Sequence, residues 1–358
     1  MTSITGTELS QKTELIFSDP SFHRIIAGLQ PEIEGLPFSL NGLGYNNLIF
    51  TSATLGTLRH SPQFSFRSIL VEEPEAHLHP QLQVLLLRHL EKISSETGAN
   101  ELQVIASSHS PILASQASID SIVSVHECDG KVSAVSVCSI EMDTKLKRKL
   151  ERFLDATRGE LFFARRILMV EGIAEALLLP CLTKIAGGNL KESAVTVLNA
   201  DGLNFNAFLP LFEKNGLSLP IAILTDGDAA KVGAPLSDTA KILKSKEADI
   251  PKLKVEHSEI TFEHELARSP TILPLMLQAF EALHPIIGKN LRVTIDGLTS
   301  ADEKADAFLA KFLDSKTSKG YFAQELAALL DASDLKSASV PNYIQEALKF
   351  LGVIKAHM

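Results

Sequence analysis

Short apolar runs and longer periodic ones divide this chain into two kinds of segment. SILV from Ser68 is a compact apolar run that reads as a buried strand, and LQVIA from Leu102 is a second. Between them Pro80 suits the first turn of a helix whose Leu82, Leu85, Leu86, Leu90 and Ile93 share one face. Two β-rich runs around Val123 and Val135, joined at Asp129-Gly130, predict a hairpin. A charged helix from Lys145 to about Arg158 should bridge to the next segment. There strand alternates with helix: ILMV from Ile167, a helix through Leu177, VTVL from Val195, a helix through Phe208, and IAIL from Ile221. This βαβαβ order predicts a parallel sheet with right-handed crossovers, hence an α/β fold. Beyond residue 270 the pattern is helical, near 271–284, 301–313, 319–331 and 341–350.

Composition narrows the setting. With 358 residues the chain can bury more than one core, and 45% apolar with 22% charged residues is the balance of folded protein. No apolar run approaches the ~20 residues that span a bilayer, and MTSITGTELSQK lacks the apolar segment of a secretory signal. The expectation is a cytoplasmic protein with no membrane partner. Cys128, Cys138 and Cys181 have no metal-ligand spacing and are an odd number, so neither a zinc site nor a disulfide framework is expected. A net charge of −9 excludes nucleic-acid binding by bulk electrostatics, so any such contact must be local. Lys145, Lys147, Arg148, Lys149 and Arg152, continued by Arg158, Arg165 and Arg166, form the best candidate; a solvated helix face is the other reading.

In the first segment, LVEEPEAHLHPQ places Glu72 and Glu73 directly after a strand, where an ATPase holds its magnesium and orients the attacking water. Glu72 would sit near the metal and Glu73 would orient the water. His109 follows the next strand, within reach of a γ-phosphate. NGLGYNN, with Asn41, Gly42 and Gly44, is a glycine-containing loop before an apolar helix, suited to presenting N–H groups to phosphate. Taken singly, the glutamates could be a helix N-terminal charge pair and the histidines surface residues. In this order the motifs resemble the C-terminal half of an ATP-binding-cassette (ABC) ATPase: signature loop, Walker B strand, D-loop and switch histidine. Glu72 stands where that family usually has Asp, and Asn41 where it often has Ser. Nowhere does G-x-x-x-x-G-K-[ST] occur, so the nucleotide site is expected to be incomplete and the chain to be a C-terminal portion lacking the Walker A lobe.

The second segment places acids after three strands. Glu171-Gly172 follows ILMV, with Glu175 four residues on, on the same helix face. Asp201 follows VTVL within Asn199-Ala200-Asp201-Gly202, which is also a plain turn signal. Asp226-Gly227-Asp228 follows IAIL. In an open parallel sheet, ligands gather outside the carboxyl ends of the strands, so the first and third groups can converge. Cleaving a phosphodiester needs a nucleophile near neutral pH and charge relief at the leaving oxygen. Two divalent ions roughly 4 Å apart supply both, and oxygen-rich ligands suit Mg2+ or Mn2+. Gly172 and Gly227 are expected to let the backbone turn sharply there. Acids at strand ends also serve as helix caps, which is the competing reading for each alone.

VEG followed by TDGD is similar to the catalytic core of topoisomerases, primases and related nucleases (Toprim). An ABC-type half followed by Toprim resembles the overcoming-lysogenisation-defect (OLD) nuclease family, which includes the nuclease subunit of Gabija anti-phage systems; the likeness runs over roughly residues 38 to 330. It implies an ABC-like portion at 1–126, a linker and bridging helix at 127–164, a Toprim core at 165–268 and a helical region completing the site at 269–358. It implies a metal-dependent DNA endonuclease with Glu171, Glu175, Asp226, Asp228, Glu263 and Asp201 as metal ligands, with Glu265 second to Glu263 within TFEHELA. Lys319, in KGYFAQELA, would stabilise charge on the scissile phosphate beside the catalytic Glu171 and Asp226. The family further implies two Mg2+ or Mn2+ ions, ATP only in an intact protein with a P-loop, DNA as partner and a homo-oligomer formed through the ATPase portion. An ATPase-linked DNA-binding or repair scaffold with an inactive Toprim site is the alternative. A topoisomerase would need a nucleophilic tyrosine, and Tyr45, Tyr321 and Tyr343 have no convincing setting.

Overall fold

The computed structural model describes residues 8, 13–16, 30–33, 35–59, 66–98, 101–128, 130–154, 158–202 and 204–355. Asp129 of the expected hairpin turn and residues 155–157 of the expected bridging helix lie outside them. The chain forms two compact units, one of Met1–Ser118 with Leu154–Gly159, the other of Ile119–Phe153 with Glu160–Met358.

In the first unit, β1 (Thr13–Ile16), β2 (Gln30–Ile33) and β3 (Leu36–Pro37) form an antiparallel sheet. Helix α1 (Leu43–Arg59) precedes β4 (Ser68–Glu72), α2 (Pro80–Ser94), β5 (Gln103–Ser107) and α3 (Pro111–Gln116). Strands β4 and β5 run parallel, Ser68 opposite Gln103 and Glu72 opposite Ser107. Pro80 opens α2 where no N–H is needed, and the 3.6-residue period then buries Leu82, Leu86, Leu90 and Ile93 against Leu48, Leu55 and Ile69.

The second unit opens with the hairpin β6 (Val123–Cys128) and β7 (Lys131–Ser136), followed by α4 (Thr144–Phe153). Then come β8 (Arg166–Val170), α5 (Ile173–Ile185), β9 (Val195–Asn199), α6 (Phe205–Phe208), β10 (Ile221–Thr225), α7 (Asp238–Ser245) and β11 (Leu253–His257). All four strands from β8 to β11 are parallel, in the order β11-β10-β8-β9. Every residue of β10 is buried, which is why IAIL has no polar alternation. The fourth strand had no sequence expectation. In LKVEH the apolar Leu253 and Val255 alternate with Lys254 and Glu256, the pattern of an edge strand with one wet face.

Helices complete the unit: α8 (Phe262–Arg268), α9 (Leu273–Leu283), α10 (Pro285–Asp296), α11 (Ala301–Asp314), α12 (Lys319–Asp331) and α13 (Asn342–Phe350). Four of them fall where the period placed them; α8 and α10 are additional, α10 started by Pro285 directly after α9. Phe280, Phe308, Phe312 and Phe322 join α9, α11 and α12 in one aromatic cluster, with Phe312 and Phe322 edge to face at 4.9 Å. Helix α12 also packs on α5, and α8 on α11, so this helical layer is fixed to the sheet rather than hung from it.

Candidate active site at the sheet crevice

Strand β8 connects through α5 to β9 on one side, whereas β10 connects through α7 to β11 on the other. The crevice of an open α/β sheet lies where the connections diverge in this way, outside the carboxyl ends of the strands. Here that point is between β8 and β10, and Glu171 and Asp226 are the residues that follow those two strands. Glu171 Oε1 accepts a hydrogen bond from the Thr225 hydroxyl and another from the Asp226 N–H at 2.8 Å, so one carboxylate oxygen clasps both strand ends. Its Oε2 accepts none from the described residues.

Asp226 Oδ1 accepts from the Phe262 N–H at the start of α8 (2.7 Å) and from the Ser258 hydroxyl after β11 (3.2 Å). Glu175, in the first turn of α5, is buried, as is Glu263 on α8. Lys319, the first residue of α12, pairs with Glu263 at 2.9 Å. The structure therefore brings together Glu171, Glu175, Asp226, Glu263 and Lys319 from the ends of β8 and β10 and from α5, α8 and α12. Burial, reinforced by the charges of Glu171, Glu263 and Glu175, pushes the Asp226 carboxyl up to about 8. Burial and Glu263 likewise raise Glu175 to about 6. Lys319 is held above its usual range: burial works against its charge, and Glu263 together with Asp226 and Glu175 more than compensates.

Two predicted residues stand at the rim instead. Asp228 is exposed, in a left-handed conformation (φ 48°), with its N–H on the Ile260 carbonyl at 2.9 Å. Asp201 is exposed and left-handed as well (φ 49°), and its loop is tied to the centre by the Gly202 N–H donating to the Glu171 carbonyl (2.7 Å). Gly227 is required for close approach: a Cβ there would lie 2.3 Å from the Ser258 carbonyl oxygen and 2.5 Å from that of Glu259. Gly172, by contrast, is extended (φ −148°), a conformation open to any residue, so the sharp turn expected of it is absent. Glu265 has other partners, accepting from the Glu259 N–H and pairing with Arg268.

The donor set is all oxygen, which fits a hard divalent cation, and carboxylates crowded enough to hold protons near neutrality are relieved by one. Among the described residues, no three acidic, histidine or cysteine groups converge closely enough to hold a single ion as they stand. Glu171 is turned to Thr225 and Glu263 to Lys319, so binding would require local rotation of these side chains. Sequence reasoning missed Thr225, Ser258 and Tyr343; Tyr343 is buried on α13, and that burial and the nearby acids hold its phenol well above the usual range. Only the LKVEH alternation could have signalled the strand that delivers Ser258.

In the first unit Glu72 and Glu73 end β4, both exposed, and Glu73 is left-handed (φ 42°), its N–H donating to the Ser107 carbonyl at 3.0 Å. His109 Nε2 lies 3.9 Å from Glu73 Oε1. Glu75 ties the two loops, accepting from the Ser108 hydroxyl (2.7 Å) and the His109 N–H (3.0 Å). Asn41 donates to Asn46, Gly42 is exposed before α1, and a Cβ on Gly44 would lie 2.3 Å from the His77 carbonyl oxygen. Gly44 lies in the first turn of α1 rather than in a loop before it, so the start of this helix abuts the segment that follows Glu73.

Residues 5–114 match an AAA ATPase domain family, and residues 162–228 match the Toprim domain of overcoming-lysogenization-defect-like proteins. An ATPase-type unit followed by a Toprim unit is the class. The chain is 25% identical to "Endonuclease GajA" of Bacillus cereus (strain HuB5-5) over 373 aligned residues, 88% of this chain and 54% of that protein. It is 32% identical to the "OLD nuclease" of Thermus scotoductus (strain ATCC 700910 / SA-01) over 113 residues, 30% of this chain and 21% of that one. The chain is thus similar to OLD-family proteins in its Toprim stretch and in the order of its two units. It spans about half the length, or less, of these curated relatives. The C-terminal region of the Xanthomonas campestris pv. campestris OLD protein matches 54% of this chain, and 94% of its own, at 25% identity with a TM-score of 0.40.

Proposed function

We propose that this chain is a divalent-metal-dependent DNA endonuclease whose reaction takes place at the crevice between β8 and β10. The observation that carries the reading is the convergence of Glu171, Glu175, Asp226 and Glu263 on one lysine at the sheet's switch point, with Asp226 pushed up to about 8. Such crowding costs folding energy and is retained where a multivalent cation offsets it. In this reading those four acids hold Mg2+ or Mn2+, with Asp228 and Asp201 reaching in from the rim for a second ion. Bound ions supply Lewis acidity and charge relief at the phosphodiester. Glu171, clasped through Oε1, offers Oε2 to the crevice. Lys319, fixed by Glu263 and by the Phe322 anchor one turn away, places its ammonium against charge developing on the scissile phosphate.

The relatives' names, an endonuclease and a nuclease, support the same reaction class. In the whole protein the ATPase portion would regulate cleavage and form a homo-oligomer, with ATP bound where a P-loop completes the half-site around Asn41, Glu72, Glu73 and His109. Its setting would be the cytoplasm; among the described residues no helix is long and apolar enough to cross a membrane. A DNA-binding or repair scaffold with an inactive Toprim site is favoured by one observation, that no three ligands converge as the side chains stand. Incubation with supercoiled plasmid and Mg2+ or Mn2+ separates the two. The enzyme gives nicked or linear DNA, lost on chelation and lost in Glu171→Gln, which keeps an oxygen for Thr225 and the Asp226 N–H. Intact plasmid at every metal concentration would establish the scaffold.

A further inference from the structure

We propose that the outer face of α4 seats the phosphate backbone of a DNA duplex beside the crevice; that this duplex is the one cleaved rests on the nuclease reading. Helix α4 has two distinct faces. Leu146, Leu150 and Phe153 recur at helical spacing, and Leu150 is fully buried, so this side packs inward. On the other side Lys145, Arg148, Lys149 and Arg152 fall at the i, i+3, i+4, i+7 positions of a single stripe. Lys145, Arg148 and Arg152 are exposed and Lys149 is half-buried over the Phe153 ring.

No acid shares the stripe. Asp143 is occupied as the cap, accepting from the Lys145 and Leu146 N–H groups at 2.8 Å each. Lys147 lies off the stripe and is paired with Asp120, while Glu151 lies on the flank beyond Arg148. Of the basic residues that continue the run, Arg166 is committed to the Ser193 carbonyl at 2.7 Å. A chain of net charge −9 thus concentrates four cations on one helix face, three of them without a partner among the described residues. Folding alone does not require this, since mutual repulsion of exposed like charges destabilises the helix.

Packing sets where the face lies. Phe153 stacks at a tilt on Phe208 of α6, ring centroids 6.3 Å apart. Helix α6 follows directly the loop in which Gly202 bonds the Glu171 carbonyl. The cationic helix is therefore tied, through α6, to the edge of the sheet where the acids gather. From Lys145 to Arg152 the stripe is about 10 Å long, and one strand of B-DNA presents a phosphate every ~3.4 Å along its axis, so about three phosphates fit against it. Contacts of this kind fix register and orientation without reading sequence.

The test uses the full chain and a fluorescein-labelled blunt duplex with EDTA present, so that binding is measured without cleavage. The Lys145→Gln/Arg148→Gln/Arg152→Gln variant is expected to bind more weakly, by the same factor for unrelated duplex sequences. The slope of log affinity against log salt should become shallower by about 2 to 3, at ~0.9 for each phosphate no longer neutralised. Because the buried face is untouched, its thermal melt should match the wild type. Arg148→Lys/Arg152→Lys should restore binding, and Lys289→Gln, which removes one exposed cation from α10, should cost less than Arg152→Gln. Wild-type affinity and salt slope in the triple variant would overturn the proposal. If the wild type nonetheless cuts plasmid, the nuclease reading survives that failure; if binding falls as expected but no plasmid is cut, the nuclease reading fails and the α4 surface stands.

Discussion

Replacing Asp226 by asparagine should make the metal-free protein more stable and abolish its cleavage. The amide keeps an oxygen for the Phe262 N–H and the Ser258 hydroxyl, so the connections from β10 to α8 and β11 survive. What disappears is a negative charge facing Glu171, Glu263 and Glu175. The folded carboxyl titrates at about 8 against an ordinary 3.8, so folding favours its protonated form. That contribution is fully present below about pH 4 and is lost as pH rises toward 8, where the unfolded chain is ionised and the folded site resists ionising. At ~1.4 kcal/mol per pH unit the gap sets a ceiling of ~6 kcal/mol. Asp226 is half-buried and shares the repulsion with three other acids, so solvent screening brings the expected gain to ~2–3 kcal/mol. For a unit of this size that is a rise in Tm of roughly 5–10 °C. Calorimetric melts in EDTA across this pH range should show the wild type losing stability toward the alkaline end and Asp226→Asn holding level. Adding Mg2+ should raise the wild-type melt and leave the variant unmoved. If the variant melts below the wild type at the alkaline end in EDTA, the Asp226 charge is not opposed by its neighbours and the reasoning fails.

Lys319 partly offsets the upward push on Asp226 and Glu175, so Lys319→Gln should move the acid limb of the pH–rate profile to higher pH. It should slow cleavage by about 100-fold or more while duplex affinity barely changes; equal losses in rate and affinity would make Lys319 an ordinary phosphate contact. Gly227→Ala drives a methyl into two backbone carbonyls and should cost ~3 kcal/mol; a wild-type melt would refute the close approach. The chain, whose sequence contains no G-x-x-x-x-G-K-[ST], should release no steady phosphate from ATP. Sustained release that disappears in Glu73→Gln would overturn this.

Three of the four strands, β8 and β10 inside the sheet and β9 at the edge opposite β11, were legible as compact apolar runs bounded by polar residues, the form of a strand with both faces covered. RILMV, VTVLN and IAILT all have that form, and their following acids could be paired from topology alone. The edge strand β11 was not legible, since its charged alternation in LKVEH is equally the pattern of an exposed turn or helix. Without that strand Ser258 stayed hidden. Long-range partners were hidden for a different reason. Nothing local to Phe262 says that its N–H caps Asp226, and nothing local to Thr225 says that its hydroxyl meets Glu171; sheet order creates both contacts. Glu263 and Lys319 could be placed only by family likeness, because their pairing depends on how the phenylalanine cluster docks α12 against the layer that carries α8.

That docking bears on how such a site can be inherited. The stretch that matches the Toprim family ends at residue 228, with Glu171, Glu175, Asp226 and Asp228 inside it. Ser258, Glu263 and Lys319 lie outside, as do the four phenylalanines that hold the last of them in place. Recombination that exchanged the recognisable stretch alone would transplant acids without the lysine and hydroxyl that meet them. If cleavage takes place at the crevice as proposed, the heritable module is longer than the motif by which it is found, and substitutions deep in the helical layer should be constrained by chemistry enacted at the sheet.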